Sequence, residues 1–409
     1  MNSRHLRVRR HARPGHALLS VIALGILLLA TPAAALELDT RDLTVNGDRW
    51  ALELPTGYRL DVLATGLGGP RLMTFLDNGD LLVGSKSGKV YRLAPPYTRP
   101  EVLVTLDDYP HSLAWRDNLL YIAQTDGLYR VPYRPGQRSI EWDDITLLAP
   151  LPGGGGHNSR TVGIGPDGRL YVALGISGNC SDEYLDNSYA FADRRGGVLV
   201  LDESGPVPRL QPFASGLRNP VGFDWHPVTG ELFASNNGPD HLGFVQPPEY
   251  FSRLSAGSFH GMPWFQFDGQ RLIRDRCIGK PPPRPQADVT LPVATFPARN
   301  APMGVAFAPA GAMDPRFTNN AIVALKGSWG TLPDGGMFGS KATRRPPRLV
   351  IVEFDRGKPT GVVSTVLAGL QRPDGERLLR PVGVAIGPDG ALYFTSDTHL
   401  QGLFRLRKD

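Results

Sequence analysis

Residues 153–175 read GGGGHNSRTVGIGPDGRLYVALG. Four glycines lead to His157 and Asn158. Residues 161–164 (TVGI) and 170–174 (LYVAL) are short apolar and β-branched runs, and Pro166-Asp167-Gly168 between them is turn chemistry. Strand, tight turn, strand is the signature of a β-hairpin. Outward from this stretch the same phrase returns: a small-Gly-Leu or Pro start, an apolar strand, an Asn/Asp-Gly or similar turn, and a second strand.

Copies lie at 64–93, 110–131, 153–201, 215–234, 301–352 and 380–406. Inserts separate them in the middle of the chain, and no window holds a helical period. Repeated four-stranded units with matching first strands predict an all-β, six-bladed propeller. An open sandwich is the rival architecture. Residues 58–63 alternate like a lone strand before the first copy, so the N-terminal strand is expected to complete the last blade and close the ring without a free edge. Residues 36–53 read as a mixed lead-in. The repeated strands are scaffold; the histidine behind four glycines occurs once.

The first 35 residues carry five arginines and no acid, then an apolar run too short to span a membrane comfortably, then Ala33-Ala34-Ala35. This pattern predicts a signal peptide cut near Ala35, with residues 36–409 as a single propeller domain that is periplasmic or secreted. An N-terminal membrane anchor is the alternative reading. The whole chain has 44 basic and 39 acidic residues. Five of the basic residues lie in the leader, so residues 36–409 hold 39 of each. A near-neutral mature chain gives no reason to expect nucleic acid or a lasting attachment to the membrane as partner. Glycine (48) and proline (38) are abundant, as many turns require. The two cysteines, Cys180 and Cys277, are both in the exported part, where a disulfide is plausible; two buried thiols are the other reading.

In a propeller the first strand of each blade lines the central channel, and the residues before it ring the mouth. The candidates there are residues 70–73, His111, His157, Arg218-Asn219, Arg299-Asn300 and Arg380. A histidine at this position serves as general base or metal ligand, or is simply a buried histidine bonded to backbone. Arg218 and Asn219 suit carboxylate, quinone or carbonyl oxygens, or an ion pair between blades. Asn236-Asn237-Gly238-Pro239-Asp240 offers oxygen ligands for Ca²⁺, or is an ordinary turn. Lys326 ends an apolar strand and needs an anion, and Trp329 beside it can stack on a flat ligand; a structural ion pair reads the same way. There is no dinucleotide fingerprint in a βαβ setting, no Ser-centred elbow and no CxxC, and the six histidines after residue 35 are scattered.

Over residues 55–408 the chain resembles the glucose/sorbosone dehydrogenase family of soluble quinoproteins, six-bladed propellers, nearest its sorbosone-dehydrogenase-like branch. The segments that carry the resemblance are 153–175, GLRNPVGFDWHPVTGELFASNNGPD (216–240) and GSFHGMPWF (257–265). It implies pyrroloquinoline quinone over the channel with one Ca²⁺, a sugar or sugar-aldehyde substrate, and electrons leaving to a periplasmic acceptor. It implies that His157 removes the hydroxyl proton as hydride passes to the quinone. It implies Arg218 and Asn219 as cofactor and oxyanion contacts, Arg218 catalytic, and Gly238 and Pro239 as main-chain Ca²⁺ ligands. Lys326 and Arg380 are implied as cofactor contacts, with Trp329 joining them on the stacking reading of its ring, and His111 as a substrate contact. Arg380 matches one of two closely spaced family arginines, and Arg377 lies three residues earlier. Gly156 stands where the glucose enzyme has an acid. The competing expectations are a Ca²⁺-dependent lactonase-type hydrolase, which needs carboxylates at the mouth, and a non-catalytic propeller that has lost the cofactor.

Overall fold

The computed structural model describes Met1 and residues 36–409; the signal peptide expected over residues 1–35 otherwise lies outside the described residues. Residues 36–409 fall within one compact unit. Six antiparallel sheets make a six-bladed β-propeller. Their innermost strands are Pro70–Phe75, Ser112–Arg116, Arg160–Ile164, Phe223–Trp225, Pro302–Phe307 and Leu379–Ile386. The copies read from the sequence correspond to the blades in order.

Tyr58–Thr65 pairs antiparallel with Gly402–Lys408 and becomes the outer strand of the last blade, as expected. Closure this way leaves no exposed edge between the first and last blades. Residues 36–53 differ from expectation. Leu38–Val45 and Asp48–Pro55 form a hairpin whose Trp50, Leu52 and Leu54 alternate inward onto the core of the last two blades. That period-2 signal is present in DRWALELP, but it is short and was hidden by the charged strand before it.

Each blade buries its faces against its neighbours, so the core is divided. Six apolar clusters match the six blade–blade interfaces; Phe233, Phe251, Phe307 and Val323 lie between blades four and five, for example. The glycine repeated in the inner strands has a steric cause. A Cβ on Gly304 would sit 2.6 Å from Val382 O, and one on Gly383 would sit 2.5 Å from Arg71 O. Neighbouring inner strands come that close around the channel, and only glycine allows it. Blade four carries an insert, residues 255–293, containing the Phe265–Phe267/Leu272–Arg274 hairpin. The GSFHGMPWF segment lies in this insert. Its Phe259, Trp264 and Phe265 pack with Tyr184 in a seventh cluster, so the motif is structural at these positions.

Candidate functional site

Inner strands run away from the mouth, and second strands return to it. The mouth is therefore ringed twice, by the residues before the inner strands and by those ending the second strands. Sequence reasoning looked mainly at the first ring. The second contributes Lys86, residues 175–180, 236–240, Lys326 and Asp397.

His157 sits behind the glycine loop. Its Nδ1 lies 2.6 Å from Ile176 O. A carbonyl only accepts, so Nδ1 carries the proton and Nε2 holds a lone pair. Nε2 makes no hydrogen bond among the described residues and is not among the buried unpaired atoms. Burial, then the charge of Arg218, pushes the imidazole down to about 4, so it is neutral at pH 7. Two buried arginines fasten the loop. Arg160 donates to the carbonyls of Pro152 (2.7 Å) and His157 (2.8 Å), and Arg195 donates to those of Gly175 (2.9 Å), Gly153 (3.1 Å) and His157 (3.0 Å). Gly156 has φ +82° and a Cβ there would lie 1.6 Å from Ser177 O. No side chain fits at this position, which is the physical reason for the glycine.

Arg218 is buried and gives Nε to Asn179 O (2.9 Å) and Nη2 to Asn179 Oδ1 (3.0 Å), with Asp240 at 3.4 Å. Burial lowers its pKa. Asn219 is fixed through its backbone by Asn236 and Asn237, while its side-chain Oδ1 is buried without a partner among the described residues. Gly238 N–H donates to Glu249, whose carboxyl burial pushes up to about 7. Gly238 and Pro239 are buried, and neither carbonyl accepts a hydrogen bond among the described residues. Two carbonyls of one turn with no hydrogen-bond donor among the described residues are suited to a hard cation.

Across the mouth the chemistry is cationic. Asp397 Oδ2 receives Arg71 Nη1 at 2.6 Å, Lys86 Nζ at 2.7 Å and Lys326 Nζ at 2.7 Å. Burial acts to raise the Asp397 pKa, but Arg71, Lys326 and Lys86 hold it far below the usual carboxylate range. Burial, then Arg71, drives the Lys326 ammonium down. Arg380 donates to Lys326 O (2.9 Å) and Gly327 O (2.7 Å), and Arg377 donates to Gln371 and Arg345 O. Arg377, Arg380 and Arg344 have no carboxylate partner within salt-bridge reach among the described residues. One carboxylate shared by three cations leaves the region strongly positive. Trp329 is 48% exposed, with the Arg299 guanidinium 6.0 Å from its ring.

His111 departs from expectation. It is 0% exposed; its ring bonds Arg160 O at 3.0 Å and Arg71 Nη2 at 3.2 Å. Both nitrogens are committed and no surface remains for substrate, so the substrate-contact reading is corrected to a structural one. Lys86, Asn179 and Asp397 were missed, while Arg71 and Asp240 lay inside the candidate stretches 70–73 and 236–240 without being assigned these partners. A positional signal existed: Lys326 directly follows the second strand of its blade, Ala321–Leu325, and Asp397 lies near the end of the second strand of the last blade, Leu392–His399. The disulfide joins Cys180 to Cys277.

A family model described as TrAA12-like matches residues 52–246. In structure the chain is similar to the Trichoderma reesei carbohydrate-active enzyme of family AA12, with TM-score 0.72 and 19% identity, covering 90% of this chain and 100% of that one. It is also similar to the holo pyranose dehydrogenase PQQ domain of Coprinopsis cinerea, with TM-score 0.68 and 19% identity, covering 88% and 97%. In sequence, quinoprotein glucose dehydrogenase B of Acinetobacter calcoaceticus is 28% identical over 134 residues, 27% of this chain and 28% of that protein. The resemblance to soluble quinone-dependent sugar dehydrogenases is borne out, and the structural likenesses fix the propeller fold.

Proposed function

We propose that the protein is an exported quinoprotein oxidoreductase that oxidises an aldose or a related, sorbosone-like sugar aldehyde at the channel mouth. The observation that carries this reading is His157: a neutral imidazole with Nδ1 tied to Ile176 O and Nε2 unbonded. The residues present also fit pyrroloquinoline quinone, a planar tricarboxylate. Lys326, Arg380 and their cationic neighbours supply positive charge, Asn219 Oδ1 has no partner among the described residues, and half-exposed Trp329 offers a flat face. The carbonyls of Gly238 and Pro239 suit one Ca²⁺. When bound, the quinone supplies a two-electron acceptor, which a periplasmic acceptor then reoxidises.

The chain's own residues do the proton chemistry. His157 Nε2 takes the proton from the substrate's anomeric or hydrate hydroxyl; at about pKa 4 it is unprotonated across the neutral range. Arg218 spends Nε and Nη2 on Asn179 and keeps Nη1 for negative charge developing on oxygen. The glycine loop lets substrate approach the base closely. The leader sequence and the disulfide support a periplasmic or secreted location.

The test is reconstitution of the apo-protein with quinone and Ca²⁺, assayed on aldoses with a dye acceptor. Saturable turnover is expected, and absence of quinone binding at micromolar concentration sinks the reading. A second reading, a propeller that binds without catalysis, is favoured by one observation: Lys326 and Arg380 already have internal partners. It predicts an unchanged melting temperature with quinone, whereas a bound cofactor at a hundredfold excess over Kd adds about 2.7 kcal/mol. A lactonase is not favoured, because Asp397 and Asp240 are occupied by Lys and Arg partners.

A further inference from the structure

Residues 176–180, ISGNC, touch both proposed catalytic side chains. Ile176 O accepts the His157 Nδ1 proton, and Ile176 N donates to Arg218 O at 2.8 Å. Three residues on, Asn179 accepts Arg218 Nε on its carbonyl and Nη2 on its side chain. The next residue, Cys180, is bridged to Cys277 in the blade-four insert.

Asn179 is held from the other side as well. Its Oδ1 also accepts Asp240 N–H at 2.6 Å, which fixes the amide orientation. Its Nδ2 therefore donates to His241 Nδ1 at 3.1 Å. With Nδ1 accepting from the amide, the Nε2–H of His241 donates to Asp275 at 3.0–3.1 Å. Asp275 is 5% exposed and accepts Cys277 N–H at 3.0 Å. The path Asn179–His241–Asp275–Cys277–Cys180 thus closes on itself, through three hydrogen bonds, the disulfide and the peptide bond between Asn179 and Cys180. The insert of blade four clamps the loop of blade three. Nothing else in the proposed function gives the disulfide, His241 or Asp275 a task.

We propose that residues 176–180 are the positioning element of the site, setting Arg218 against His157, and that the Cys180–Cys277 bridge and the His241–Asp275 pair hold this element in place. Asn179 is the positioning residue for the arginine. The proposal rests on the reading of His157 and Arg218 given above, but its test does not need turnover.

Arg218 is the largest charged influence on His157; Asp240 and Arg195 are the others facing it. If Arg218 swings away, the His157 pKa rises. The experiment is an NMR titration of His157 in the apo-protein, its signal assigned by loss in His157→Gln. It compares wild type, Asn179→Ala and the Cys180→Ser/Cys277→Ser pair. A low wild-type midpoint that moves up toward the ordinary histidine value of about 6.5 in both variants is the expected result. Dithiothreitol on the wild type should reproduce the shift. In reconstituted enzyme, a displacement of the arginine by about 1 Å corresponds to roughly 10²-fold in kcat/KM. A folded Asn179→Ala protein whose His157 titrates as in wild type overturns the proposal, and this variant keeps the bridge should the serine pair not fold. A bridge that only stabilises would lower the melting temperature of the serine pair and leave the titration unmoved, which also overturns it. Failure of the wild type to bind quinone would count against the proposed function alone.

Discussion

The approaches to the inner strands of blades two and three each carry a histidine, His111 directly before its strand and His157 three residues before, and the two have opposite environments. Burial lowers the pKa of both. His111 is closed over, with Arg160 O on one nitrogen and Arg71 on the other. His157 has one nitrogen fixed and one open. The difference lies in what precedes each ring. Tyr109-Pro110 packs an aromatic edge onto His111 at 5.5 Å, whereas Gly153 to Gly156 leaves room beside His157. A histidine on the approach to an inner strand is thus closed over in blade two and left with a free nitrogen in blade three, according to the bulk of the residues before it.

The strongest way to break this comparison is to truncate both rings. His157→Ala is expected to lower kcat about 10²–10⁴-fold with quinone affinity retained. His111→Ala should leave kcat within about tenfold but cost about 1–3 kcal/mol in urea unfolding, because Arg71 and Arg160 O lose a buried partner. Equal losses of rate in the two variants would refute the contrast. Next in size is Asp397→Asn, which leaves Arg71, Lys86 and Lys326 without their shared anion. A loss of about 3–5 kcal/mol is expected by denaturation, the range seen when one partner of a buried ion pair is removed.

Acid sharpens the comparison further. His111, His157 and His260 are all depressed by burial, His157 and His260 to about 4. A pKa lowered on folding means that the unfolded chain binds the proton first, so stability is full above about pH 6.5 and is lost as pH falls toward 4. Melting temperature against pH should decline through that window, less steeply in a His260→Gln protein, while the acid limb of kcat/KM should fall near pH 4. The smallest effect expected is chelation: EDTA should weaken quinone binding, with little change in the melting temperature of the apo-protein.

Most of the fold was legible, because a propeller repeats its signal. Each blade gave its apolar inner strand and turn, and residues 58–63 gave closure. The N-terminal hairpin was lost for want of a second copy to compare, although Trp50, Leu52 and Leu54 alternate. The site was half legible. His157, Arg218, Asn219, Gly238 and Lys326 lie on local motifs. Arg71, Lys86 and Asp397 meet from the first and last blades, hundreds of residues apart in the chain, and no local spacing encodes that meeting. His111 showed the limit of position alone: burial on both nitrogens is a property of packing, which its flanking residues only hint at. Asn179 carries no motif, and its place in the arginine network depends on a disulfide spanning 97 residues.

The most direct measurement is a titration of the purified apo-protein with pyrroloquinoline quinone and Ca²⁺, followed by absorbance, for wild type and for Lys326→Ala and His157→Ala. The account predicts saturable one-to-one binding in wild type at micromolar quinone or below, weakened in Lys326→Ala. In His157→Ala it predicts retained binding with turnover lost. A wild-type protein that shows no saturable uptake, or a His157→Ala protein that still turns over sugar at the wild-type rate, would contradict it.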